Sequence, residues 1–307
     1  MDVTVAICTW NRAELLKKTL EGMTGLEVPP DCTWELIVVN NACTDSTNDV
    51  LDAFAGRLPL RPVFEGRQGH SNARNRAIAE ATGELLIWTD DDVLVDSQWL
   101  AEYWRAFRAN RHMAYFGGPI EPWFESDPPL WFQRHLRELS GVVVCVDHGR
   151  EMRPVKRGET IFGASLAVRR DVALRFPFNA KLGRMKDALT GGDDTDFLGR
   201  LADDGLKGLW VPLAKLKHFV PRNRTSAAYV NRWYRDAGRT AVRRYALSEG
   251  PTFRGVPRWI WRKYVTYLAL ASFWRPTRNA RWFESYREAL MLRGMIDEMR
   301  AVRAADR

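Results

Sequence analysis

The sequence predicts an α/β protein: a mostly parallel sheet flanked by helices, with a helical C-terminal extension. Three observations carry this. Short β-branched runs alternate with amphipathic stretches through the first hundred residues, the β-α-β order that parallel sheets require. The strands end in polar clusters, Asn40-Asn41 and Asp90-Asp91-Asp92, where ligands of such sheets bind. From about Thr225 the pattern turns helical and arginine-rich.

Residues 3–8 form a β-branched first strand, and a helix opening at Asn11 or Arg12 places Leu15, Leu16, Leu20 and Met23 on one face. Residues 34–39 are the second strand. Thr44-Asp45-Ser46-Thr47 can cap a helix holding Val50, Leu51 and Phe54. Residues 61–65 read as a short third strand and 71–81 as a helix. Gly83 then leads into the apolar run Leu85-Leu86-Ile87-Trp88, which stops at the three aspartates. The middle is less regular. Residues 115–120 predict a strand, followed by a Pro- and Trp-rich loop over 121–132. Residues 160–168 predict another strand, with Arg169-Arg170-Asp171 opening a helix. Gly191-Gly192-Asp193-Asp194-Thr195-Asp196 starts a helix carrying Phe197, Leu198 and Leu201, with Asp196 as a cap. Residues 208–212 are the last predicted strand, and His218 follows it.

At 307 residues the chain can hold one large α/β domain and an appendage. Hydrophobic residues make up 46% and charged residues 27%, an ordinary balance for a globular protein. The first residues lack a basic leader and start as a strand, and the longest weakly charged run, 264–274, falls short of the roughly 20 residues needed to span a bilayer. Cys8, Cys32, Cys43 and Cys145 show no metal-ligand spacing and no disulfide pattern, which fits reduced thiols and a cytoplasmic protein. The net charge of +8 is uneven: 19 Lys and Arg stand against 7 Asp and Glu from Arg222 onward, whereas the remainder is mildly acidic. Such a tail suits an anionic partner, or is a solvated helical surface.

Three consecutive carboxylates repel one another unless a counter-charge is present. A divalent metal with a phosphate-bearing ligand supplies one, because hard cations take oxygen ligands; a solvated acidic loop is the plain alternative. The ordered set of motifs decides between them. Val3-Thr4-Val5-Ala6-Ile7-Cys8-Thr9-Trp10-Asn11-Arg12, Val38-Val39-Asn40-Asn41-Ala42-Cys43-Thr44-Asp45, Gly69-His70-Ser71-Asn72-Ala73-Arg74-Asn75, Asp90-Asp91-Asp92 and Gly192-Asp193-Asp194 occur in this order. Together they resemble the family 2 glycosyltransferases of the GT-A fold, over roughly 3–221.

The resemblance implies a catalytic domain over 1–221, with a nucleotide-binding half (1–115) and an acceptor-binding half (116–221), and a basic extension over 222–307. It implies an inverting sugar transfer from a nucleotide-diphosphate sugar to a saccharide or lipid-linked saccharide, with Mn²⁺ or Mg²⁺. Thr9, Trp10, Arg12, Asn40, Arg74, Asp90 and Asp91 would bind the donor nucleotide, Trp10 against the base and Asp90 near the ribose. Asn40 stands where the family often has Asp; it keeps an acceptor oxygen and adds donors, so a UDP-sugar is favoured without excluding thymine or guanine. Asp92 and His218 would hold the metal, with Mn²⁺ better suited to the imidazole. A one-residue shift in register would exchange roles around Asp91. Asp194 would be the general base toward the acceptor hydroxyl, with Asp193 on the acceptor side. The loop aromatics Trp123 and Trp131 read equally as a stacking surface for an acceptor sugar and as a packed cover over the sheet. The small residues of Phe162-Gly163-Ala164-Ser165 would leave room for a sugar.

Three other readings compete. A processive synthase would carry Gln-x-x-Arg-Trp and spanning helices; Tyr229-Val230-Asn231-Arg232-Trp233 keeps only Arg-Trp. A nucleotidyltransferase would carry a glycine-rich N-terminal turn, and Cys8-Thr9-Trp10-Asn11-Arg12 has no glycine. A non-catalytic nucleotide-sugar or nucleic-acid binder finds support only in the tail's arginines and aromatics, and no nucleic-acid motif is present, so no nucleic acid is expected. The tail stays open between two arrangements: a peripheral contact with the inner face of the membrane through Trp259-Ile260-Trp261-Arg262-Lys263-Tyr264 and the residues after it, or a helical appendage packed on the catalytic domain. A helix over 283–302 also offers a homodimer contact.

Overall fold

The computed structural model describes residues 1–183, 191–244, 251–276 and 279–305. The chain begins with β1 (Val3–Thr9), α1 (Ala13–Met23), β2 (Trp34–Asn40), α2 (Thr47–Phe54), β3 (Leu60–Phe64), α3 (His70–Glu80) and β4 (Leu85–Thr89). β1 pairs in parallel with both β2 and β4, and β2 with β3. A central parallel strand is covered on both faces, which is why β1 reads as an unbroken apolar run, with Val3, Val5, Ala6 and Ile7 fully buried. Asp45 accepts from the Ala13 N–H that opens α1 (2.9 Å) and from the Thr47 N–H that opens α2 (3.2 Å). The predicted capping segment thus serves two helices. Gly83 is required by close approach: a Cβ there would sit 2.5 Å from the Thr4 nitrogen.

β5 (Val93–Val95) and α4 (Trp99–Ala109) follow, neither of them predicted. The buried Trp99, Tyr103 and Phe107 have the helical i, i+4, i+8 spacing, so the signal for α4 was present. Next come β6 (Tyr115–Gly117), β7 (Ile120–Phe124), α5 (Leu130–Arg134), α6 (Ser140–Val143), β8 (Arg153–Pro154), a 3₁₀ turn (Gly163–Ser165), β9 (Leu166–Arg169), α7 (Arg170–Arg175), α8 (Asp193–Asp203), β10 (Gly208–Trp210) and β11 (Leu216–Val220). The large sheet has the order β3-β2-β1-β4-β9-β6-β10-β8, and a small one the order β5-β11-β7. β9 runs antiparallel to β4 and β6, so the sheet is parallel on one side and mixed on the other.

Four expectations need correction. The loop predicted over 121–132 contains the end of β7 and the start of α5. Only Leu166–Arg169 of the strand predicted over 160–168 is extended; Gly163 to Ser165 turn, because the Gly163 N–H is drawn to a carboxylate of α8. β10 stops at Trp210, and His218 lies inside a further strand, β11. Asp196 does not cap α8; it pairs with Arg200 one turn on, at 2.9 Å.

The chain divides into two compact units, Met1–Trp123 with 144–183 and Asp193–Phe219, and Phe124–Val143 with most of the chain from Val220 onward. Both sheets belong essentially to the first unit. The second contains a 3₁₀ turn (Arg222–Thr225), α9 (Ala227–Arg244), a hairpin of β12 (Thr252–Phe253) and β13 (Val256–Pro257), α10 (Arg258–Trp274) and α11 (Ala280–Ala305). Val256, Ile260, Leu292 and Ile296 form the core between α10 and α11. No helix of the described residues is long and apolar enough to cross a membrane.

Candidate active site

The parallel register brings strand ends to one edge: Thr9 lies opposite Asn40, and Ile7 opposite Thr89, directly before the aspartates. The three carboxylates share two basic partners, Arg12 and His218. Asp91 is buried and accepts from the Thr9 hydroxyl at 2.7 Å and from Arg12 Nη1 at 2.7 Å. Arg12 Nη2 reaches Asp92 Oδ2 at 2.5 Å. On its other side Asp92 Oδ1 is 3.3 Å from His218 Nε2, and Asp90 Oδ2 is 3.4 Å from the same nitrogen. The position of His218 follows from the small sheet. It sits opposite Val93, and the Phe219 N–H donates to the Asp92 carbonyl at 2.8 Å.

Burial drives the titration of this cluster. It pushes Asp91 up to about 6, against the pull of Arg12. Burial would raise Asp90 too, but the hydrogen bond and charge of His218 outweigh it and hold that carboxyl well below the usual range. Cys8, beneath the site, is raised to about 12 by burial, so its thiol stays protonated.

A divalent cation fits these residues. Donor atoms of Asp90, Asp92 and His218 all lie within 4.8 Å of one another, an arrangement of two hard oxygens and one imidazole nitrogen. With the imidazole neutral, as a metal ligand must be, three ionised carboxylates against one guanidinium leave a formal charge of −2 in a mostly buried cluster, which a dication would balance.

A second cluster stands at the N-terminus of α8. Buried Arg74, from α3, places Nη1 3.2 Å from Asp193 Oδ2 and pairs with Asp194 Oδ1. His70 Nδ1 is 3.0 Å from Asp193 Oδ2, and the Gly163 N–H donates to Asp194 Oδ2 at 2.9 Å. Carboxylates in a first helical turn also meet the positive end of the helix dipole. The two neighbours separate in character. Burial would raise Asp193, but the charge of Arg74 and then the bond to His70 hold it well below the usual range. For Asp194 burial prevails over Arg74, and the charge of Asp193 adds to it, so this carboxyl is raised. Its side chain remains 23% exposed. Arg74 also acts electrostatically on Asp90, which links the two clusters.

His70 and Gly163 were not singled out from the sequence as site residues, although both lie in quoted motifs. The smallness of Gly163 does not leave open space: a Cβ there would overlap the Arg74 guanidinium and crowd Asp194. Asn40 uses its oxygen on the Cys43 N–H and its amide nitrogen on Asn48, each at 2.8 Å. Trp10 is half-buried at the β1 end, with its indole N–H unpartnered among the described residues. Trp123 is half-buried in the first unit, edge-on to Phe219 at 5.1 Å, and Trp131 is half-buried in the second, against Phe132.

Comparison with known proteins identifies the family. The model described as Glycosyl transferase family 2 matches residues 4–159, more than half of the chain. The chain belongs to glycosyl transferase family 2. As a family 2 glycosyltransferase it is 27% identical over 237 residues to the succinoglycan biosynthesis protein ExoM of Rhizobium meliloti, covering 75% of this chain and 71% of that protein. Other curated relatives are covered over about half of their length or less, as with 52% of an uncharacterized glycosyltransferase of Nostoc. The fold is GT-A. The mannosyltransferase PcManGT of Pyrobaculum calidifontis, solved with GDP-Man and Mn²⁺, superposes with a TM-score of 0.65 at 18% identity, over 97% of this chain and 86% of that one. The S. aureus TarS fragment 1–349, in complex with UDP-GlcNAc, superposes with a TM-score of 0.51 at 14% identity, over 99% and 92%.

Proposed function

We propose that this glycosyltransferase transfers a sugar with inversion from a nucleotide-diphosphate donor, a UDP-sugar favoured, to a saccharide or lipid-linked saccharide in surface-polysaccharide assembly. The observation that carries the reading is the division of carboxylates into two clusters, one with His218 and one with Arg74. Asp90, Asp92 and His218 would hold Mn²⁺ or Mg²⁺, which when bound would neutralise charge on the departing diphosphate. This moves Asp90 from the ribose, where the resemblance put it, to the metal. Asp91, held by the Thr9 hydroxyl and Arg12, would orient that pair for the donor nucleotide.

Asp194 acts on the acceptor. Arg74 and the Gly163 N–H fix both carboxylate oxygens, and each oxygen keeps a second lone pair for the acceptor hydroxyl proton. A raised carboxyl is a stronger base than a free one, so the environment that costs folding energy serves proton removal. Asp193, held ionised by Arg74 and His70, keeps the guanidinium aligned and would serve the acceptor side with Trp123. Trp10 offers its ring to the base and Asn40 its remaining hydrogen-bonding capacity. A relative named for succinoglycan biosynthesis supports the acceptor class, and structures holding GDP-Man or UDP-GlcNAc the donor class.

The test is a panel of UDP-, dTDP- and GDP-sugars with Mn²⁺, scored for donor hydrolysis. Hydrolysis of one donor that needs the cation and disappears in Asp92→Ala is expected. No hydrolysis of any donor, with nucleotide binding intact, would reduce the protein to a binder.

A further inference from the structure

Helix α10 has a settled inner side. Ile260 and Ala271 are buried, and Tyr264 and Tyr267 pack with the core that includes Leu292 and Ile296 of α11. The opposite side carries Val265, Ala269 and Phe273 at helical spacing, flanked by Leu268 and Leu270, and all five are exposed. Phe273 is 71% and Val265 61% accessible. Large apolar side chains grouped in this way on one helix mark an interaction surface, whereas singly scattered ones do not.

The charge on the helix says what would cover that side. Arg258, Arg262 and Lys263 are exposed, and none forms an ion pair with a described residue. No Asp or Glu occurs between Arg258 and Trp274. A second copy of the chain is a poor occupant, because two such faces in contact would double the cations with no carboxylate between them. An apolar stripe with cations at one end and no anion suits an interface whose own charge is negative and whose interior is apolar.

We propose that the outward face of α10 docks on an anionic lipid bilayer, with Val265, Leu268 and Phe273 entering the interface and Arg258, Arg262 and Lys263 on the headgroup phosphates. The helix lies in the surface and does not span it. None of the residues of the aspartate clusters is involved, so the inference stands independently of the transferase reading.

Flotation of the full-length protein with mixed phosphatidylcholine–phosphatidylglycerol vesicles tests this. The protein is expected to float with these and to remain behind with pure phosphatidylcholine. Arg262→Ser with Lys263→Ser should weaken partitioning about 25-fold, at roughly five-fold per cation. Val265→Asp with Phe273→Asp should weaken it by at least about ten-fold. Both pairs should keep the wild-type thermal midpoint and lipid-free donor hydrolysis. Undiminished flotation of either variant, or equal flotation with neutral vesicles, would overturn the proposal. So would a wild-type dimer that Phe273→Asp makes monomeric without any vesicle binding, or retention on nucleic acid in place of vesicles.

Discussion

Arg74 and Gly163 show how tightly single residues constrain the carboxylate cluster at the start of α8. Arg74 is the counter-charge for two buried carboxylates, so Arg74→Met should cost about 3–5 kcal/mol. A lowered denaturant midpoint at unchanged slope would register this loss. Gly163→Ala drives a methyl group into the guanidinium. It should lose about 1–3 kcal/mol by the same assay, together with turnover, because the Asp194 carboxylate is displaced with its donors. Asp194→Asn keeps the shape and removes the proposed base. Its kcat should fall about 10²–10⁴-fold while calorimetry finds nucleotide affinity retained. The pH profile follows with a definite sign. As the proposed base Asp194 must be ionised to accept a proton, and its pKa stands above the ordinary 3.8. The acid limb of kcat/KM should therefore lie above that value, with activity lost as pH falls through it. An acid limb at or below 3.8, or one that survives in Asp194→Asn, would assign the limb to another group.

At the scale of elements, packing depends on close approach. α9 and α11 meet where Gly238 faces the Met291 carbonyl and Gly294 faces the Arg235 carbonyl; a Cβ at either place would strike backbone. Ion pairs Arg235–Asp297 and Arg243–Glu298 flank the seam at 2.7 and 2.6 Å. Partly exposed pairs of this kind contribute little, so steric fit dominates. Gly238→Ala should lower stability by about 1–3 kcal/mol; a thermal scan showing no shift would mean that the helices part without penalty. The small sheet is equally specific in consequence. One residue of slippage between β5 and β11 would turn His218 to the other face, away from Asp90 and Asp92.

At the scale of the whole molecule, ligand binding and stability are linked. Mn²⁺ bound to the native state alone would add about 2.7 kcal/mol at a hundredfold excess over its Kd. Thermal unfolding of the wild type should shift upward with Mn²⁺, and that of Asp92→Ala or His218→Ala should not. An equal shift in these variants would place the ion elsewhere. How much of this was legible beforehand follows from the range of each signal. The β1-α1-β2-α2-β3-α3-β4 order was readable because each element carries its own periodicity, and the aspartates because they adjoin the last apolar run. β5, β8 and the turn at Gly163 were not: so few residues carry no period, and unlike the equally short β6 and β10 they stand in no recognised apolar run, so their conformation is dictated by distant partners.

Taken alone, the sequence determined the parallel half of the sheet, the family and the set of acidic residues at its edge, because strand periodicity and motif order are local properties of the chain. Tertiary structure alone decided how those residues divide. It joined Asp90 to Asp92 through His218, tied Asp91 to Thr9 and Arg12, and seated Arg74 between Asp193 and Asp194. Charges separated by dozens of residues interact only once folding has brought them within a few ångströms and excluded water between them.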